Sequence, residues 1–139
     1  MDKKRITTSL NYDGLIRISM NTLEALEYPK DLLLLINENE HKIAYEPCDK
    51  NERRKIVIKY SNSTIANGRY INSKRFTSKV YDIEKWDKDF RYQIPGELSS
   101  ESNVVVFDLM KARPVKNNTN IDDDDDDMEY DINFEEEDK

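Results

Sequence analysis

A chain of 139 residues with a formal charge of -7 has room for one ordinary domain. The charge is unevenly divided, because Met1 to Asn120 holds 21 basic and 17 acidic residues whereas Ile121 to Lys139 holds 1 basic and 12 acidic ones, so a mildly basic body precedes an acidic tail. A lone cysteine, Cys48, excludes an intrachain disulfide, the longest apolar run, Leu32 to Ile36, is too short for a bilayer, and MDKKRITTSL has no signal-like apolar stretch; a cytoplasmic protein with no membrane partner is expected.

In chain order, Asp13-Gly14 signals a turn, and Leu15 to Ile18 alternates as a short strand does. Ser19 or Asn21 caps a helix over Thr22 to Glu27 with Leu23 and Leu26 on one face, which Pro29 stops. A hairpin follows: LLLLIN, read as a strand buried on both faces, the polar turn ENEH, then KIAYEP. Asp49 to Lys55 reads as a charged loop, Ile56 to Tyr60 as a strand and Ser61 to Arg69 as a polar connection.

From Tyr70 the plan recurs. Ile71-Asn72-Ser73 resembles Ile18-Ser19-Met20, Lys74 to Tyr81 suits a short helix, and Phe90 to Ile94 and Val104 to Phe107 suit a second hairpin with Pro95 to Asn103 as its loop. The expected fold is mainly β with short helices (α+β), a folded body over residues 1–115 and a tail over 116–139. In the tail Asp122, Asp123, Asp124, Asp125, Asp126 and Asp127 repel one another, which predicts disorder. Behind them Met128, Tyr130, Ile132 and Phe134 alternate with polar residues, the pattern of a segment that docks on a partner in extended form.

Chemistry is sparse. His41, the single histidine, falls in a predicted turn, no histidine is left to activate Cys48, and Gly14, Gly68 and Gly96 are too scattered for a phosphate loop. The aspartate run lacks the spacing and glycine of a calcium loop. A non-enzymatic protein with no cofactor and no metal is expected. Two basic clusters suit phosphate: Arg53, Arg54 and Lys55 beside a strand, and Lys74 and Arg75 with Tyr70 and Phe76 near by, where aromatics stack bases while cations hold the backbone. Trp86 is expected in the core.

The stretch GLIRISMNTLEALEYPKDLLLLINENEHKIAYEP, residues 14–47, resembles an AbrB-type swapped-hairpin module, with 70–109 as a second, degraded copy. That resemblance implies a small intertwined β-barrel, built here from two tandem repeats, that binds DNA. Leu15 and Leu23-Glu24 stand where that family commonly carries basic residues, so phosphate binding should be lopsided toward the second copy. The tail around Asp131-Ile132-Asn133-Phe134 is similar to the acidic tips of bacterial single-stranded DNA-binding proteins, which implies protein docking. The combined expectation is a DNA-binding or regulatory protein of phage or mobile-element type, whose partners are DNA or a basic nucleic-acid-binding protein, with a homodimer left open. The alternative is a nucleic-acid mimic that inhibits a host defence nuclease, of anti-CRISPR or anti-restriction type.

Overall fold

The computed structural model describes residues 5–60, 68–99 and 101–116. They form nine antiparallel strands and two short helices. The strands are β1 (Thr7–Leu10), β2 (Leu15–Ile18), β3 (Asp31–Asn37), β4 (Lys42–Pro47), β5 (Ile56–Val57), β6 (Arg69–Asn72), β7 (Phe90–Leu98), β8 (Val105–Asp108) and β9 (Arg113–Lys116). Helix α1 (Met20–Ala25) lies between β2 and β3, and α2 (Lys74–Glu84) between β6 and β7.

The sheet runs β5-β3-β4-β8-β7-β1-β2-β6 and is barrel-shaped and nearly closed, with β9 also on β7. Strand, helix and hairpin follow one another twice, as β2-α1-β3-β4 and β6-α2-β7-β8. Exchanging β1 to β4 with β5 to β8 returns the same neighbours except at one place, because β1 pairs with β2 but no β5–β6 pairing exists among the described residues. A side chain bridges that seam: Arg69 Nε donates to Lys59 O at 2.9 Å and its guanidinium lies 5.6 Å from the Tyr60 ring centre. Arg69 is buried, and its Nη2 has no hydrogen-bond partner among the described residues.

Local chemistry explains the elements. Ser19 caps α1 by accepting from Thr22 N at 3.2 Å, and Ser73 caps α2 by accepting from Phe76 N at 3.3 Å. The two helix caps thus set Ser19 against Ser73, one residue away from the alignment that the isoleucines suggest. Helix α1 starts at Met20, earlier than expected, and gives way at Glu27 and Tyr28, both with positive φ, ahead of Pro29. The first hairpin pairs Leu32 to Asn37 with Lys42 to Pro47 across the expected turn. Burial on both faces of β3 does not hold: only Leu32 is fully buried, Leu34 and Ile36 pack against the core, and Leu33 and Leu35 are half-buried on the outer face opposite Glu46 and Ala44. The nearly closed sheet has one interior, so a strand in it alternates even when every residue is apolar.

Strand β1 is unanticipated, and two other expectations need correction. Thr7–Leu10 is a strand, although its composition hides it: Thr8 and Leu10 face inward, and Thr8 Oγ1 donates to Arg17 O while standing 2.8 Å from Tyr45 Oη in the core. Strand β5 is only Ile56–Val57, beyond which Ile58 is buried and donates its N–H to Lys30 O at 2.8 Å. Strand β7 does not stop at Pro95 but continues to Leu98. Its first part pairs with β1 and its last part with β8, and Pro95, which has no N–H to donate, sits at the changeover. Gly96 follows because a Cβ there would meet Phe107 Cδ2 at 2.5 Å. On the same edge of β7 the chain runs from β8 through a 3₁₀ turn, Leu109–Lys111, into β9.

The barrel interior is filled by Leu10, Ile16, Ile18, Leu32, Ile43, Tyr45, Ile94, Val105 and Phe107, with Leu23 from α1 and Phe76, Val80 and Tyr81 from α2 closing over it. No helix among the described residues is long and apolar enough to cross a membrane.

Candidate nucleic-acid interface

The first basic cluster lies in the loop between β4 and β5, and its cations are largely engaged. Glu52 Oε2 accepts from Arg54 N at 3.3 Å and from Arg54 Nε at 3.2 Å, bonds that hold the Glu52 carboxyl below its usual range. Lys55 Nζ lies 3.1 Å from Asp31 Oδ1. Arg53 is exposed. Cys48, on the same loop, has its thiol pushed up by desolvation and by Asp31 and Glu52, which disfavours the thiolate.

The second cluster opens α2. Lys74 and Arg75 are exposed, and Lys74 Nζ stands 4.0 Å from the centre of the Tyr12 ring, with Lys88 Nζ at 4.9 Å. Tyr12 in turn packs edge-on against Tyr81, which meets Trp86 and Tyr92. Trp86 stacks on Tyr92 at 4.1 Å and packs against the core. Phe76 is buried, so it offers no ring to a base. Beside α2 an open cleft of about 610 Å³ is lined by Tyr12, Glu38, Arg75, Ser78, Lys79 and Asp82. Its two carboxylates oppose any polyanion there.

Strand register creates a third surface, which sequence reading misses. Residues directly opposite in neighbouring strands share a face, and one row crosses the sheet as Tyr70 (β6), Arg17 (β2), Ser9 (β1), Gln93 (β7) and Arg113 (β9). In the neighbouring row Asn72 faces Leu15, and Arg91 faces Val115. The parity is that of the outer face, since Leu10, Ile16, Ile71 and Ile94 between them are buried. No Asp or Glu occurs in β1, β2, β6, β9 or Phe90 to Pro95 of β7. Arg113 Nη2 donates to Gln93 Oε1 at 2.7 Å. Tyr70 is 59% exposed at the far edge and Leu15 is exposed beside it. Lys74 and Arg75 follow β6 after the capping Ser73, but Lys74 turns to the Tyr12 ring and Arg75 lines the cleft with Glu38 and Asp82.

By contrast, β3, β4, β8 and the last part of β7 carry Asp31, Glu46, Asp108 and Glu97. The tail residues singled out from sequence, Asp122 to Asp127, Tyr130, Ile132 and Phe134, lie outside the described residues. No family model matches the chain, and no curated protein or solved structure matches it significantly.

Proposed function

We propose that the body is a non-enzymatic DNA-binding unit that takes a single strand across the outer face of β6-β2-β1-β7-β9. Arg17, Arg91 and Arg113 hold phosphates, and Tyr70 offers its ring to a base. The observation that carries this reading is a row of outward-facing arginines on strand segments that themselves include no Asp or Glu. Arginine forks match phosphate oxygens, and an exposed aromatic stacks any base, so the combination favours single strands with little sequence preference. The doubled strand, helix and hairpin order supports kinship with a duplicated swapped-hairpin module, whose duplex-binding basic groups are replaced here by Leu15 and Leu23-Glu24. Binding of a labelled oligothymidine at low salt tests the reading. Replacing Arg17, Arg91 and Arg113 together by Gln should weaken binding and lower the salt slope by about 2, from roughly 0.7 per phosphate contact. Unchanged affinity and slope in that variant refute it.

The second reading, a nucleic-acid mimic that occupies the basic groove of a defence nuclease, is favoured by the acidic run Asp122 to Asp127. It requires the tail for activity and leaves the arginine face without a role in inhibition.

A further inference from the structure

The arginine face and the acidic tail meet at β9. That strand is the edge of the face, and the 23 residues that follow Lys116 leave from it. We infer that the tail of the same chain lies across this face, with Asp122 to Asp127 over Arg113, Arg91 and Arg17 and with Tyr130, Ile132 and Phe134 against Leu15 and Tyr70. The inference rests on the reading of this face as a polyanion site and adds what occupies it when nucleic acid is absent.

Length, order and charge agree. Five residues, Asn117 to Ile121, separate Lys116 from Asp122 and span about 17 Å when extended. Crossing from β9 to β6 takes four strand spacings, about 19 Å. A linker of that reach lets the six aspartates begin anywhere between β9 and β2, so all three arginines are within their range, and the alternating apolar residues come after them in sequence. The face has the matching order, with arginines on β9, β7 and β2 first and the exposed Tyr70 and Leu15 at the far side. The tail's charge of -11, counted over residues 121–139, complements strand segments that carry arginines and no Asp or Glu of their own; the outer face of β3 and β4, with Glu46 on it, offers no such match. Because aspartates and phosphates would use the same arginine forks, the tail and a single strand exclude one another.

The test uses the full chain with Cys48→Ser and Asn133→Cys carrying a nitroxide label. At low salt the amide signals of Leu15, Arg17, Tyr70 and Asn72 should be lost, and they should return at about 1 M salt, where the screening length is about 3 Å. Signals lost along α2 instead, or nowhere, overturn the inference. Loss seen only in a mixture of labelled and isotope-enriched chains assigns the contact to a second copy and overturns it equally. Adding oligothymidine should restore the signals. If the oligonucleotide binds and the signals stay lost, the tail contact stands and the nucleic-acid reading of this face fails. If the tail never contacts the face while the triple Gln variant loses DNA binding, the nucleic-acid reading stands and the inference fails.

Discussion

His41 Nδ1 lies 2.7 Å from Glu84 Oε2, so the tip of the first hairpin is tied to the last residue of α2 across the two halves of the chain. The Glu84 side chain is only 7% exposed, and His41 O also accepts from Leu109 N at 2.9 Å. His41 has a φ of 57, a conformation that Asn tolerates better than most residues. His41→Asn therefore keeps the turn and removes the reach to Glu84. Leaving a buried acceptor without its partner should cost about 1–3 kcal/mol, read as a lower urea midpoint at constant m-value. Glu84→Gln keeps one acceptor and should cost less. Equal midpoints for His41→Asn and the unaltered chain would show that the pair contributes nothing.

Much of the first half was legible because its signals are local. Ser19 ahead of an apolar pair, Pro29 behind it, and two apolar runs around ENEH specify a helix and a hairpin whatever surrounds them. Strand β1 was not legible, since TTSL has one apolar residue and earns its place through Thr8, whose hydroxyl meets Tyr45 in the interior. Strand β9 hides behind Pro114, which an edge strand tolerates. The arginine face was the least legible feature. Arg17, Arg91 and Arg113 come from three distant segments, and each looks like an isolated charge until strand register aligns them.

Gly96 permits β7 to pass from one neighbour to the next. An added Cβ would stand 2.5 Å and 2.7 Å from two Phe107 ring carbons and 3.1 Å from Val106 O, and Phe107 is fully buried against Tyr45, with ring centres 4.7 Å apart. The ring has no room to retreat. Gly96→Ala should therefore destabilise the body by about 1–3 kcal/mol, and thermal unfolding monitored by circular dichroism would detect it. A variant as stable as the unaltered chain would mean that β7 shifts freely at this point.

Alkaline pH should weaken the fold through its tyrosines. Burial pushes Tyr60 up to about 12 despite the nearby Arg69, and burial also raises Tyr45 and Tyr81. A phenol whose folded pKa lies above its unfolded value, here ordinarily 10.0, supports the fold fully below the unfolded pKa. That support is lost as pH rises through the folded one. Urea midpoints should thus hold steady up to a pH of about 10 and fall between about 10 and 12. Tyrosinate absorbance should show a group of the 8 tyrosines ionising first and the remainder only with unfolding. A single titration near the ordinary value, with no loss of stability, would contradict the burial argument.

The two arginine-bearing regions give opposite expectations for DNA binding, which separates general charge from a built surface. Arg54 is held by Glu52, and Lys55 by Asp31, so their charges are already partly compensated where they stand. Arg91 and Arg113 stand on strand segments with no Asp or Glu of their own, close to one another on the neighbouring strands β7 and β9. Replacing Arg53 and Arg54 by Gln and replacing Arg91 and Arg113 by Gln remove the same formal charge. Only the second pair should lower the salt slope for oligothymidine, by about 1.4 for two lost phosphate contacts on a single strand. Tyr70→Leu should weaken binding with no change of slope, since a stacked base contributes about 1–3 kcal/mol and releases no counterion. Equal losses from the two arginine pairs would mean that the body attracts DNA by net charge alone and that the alignment of these strands has no part in it.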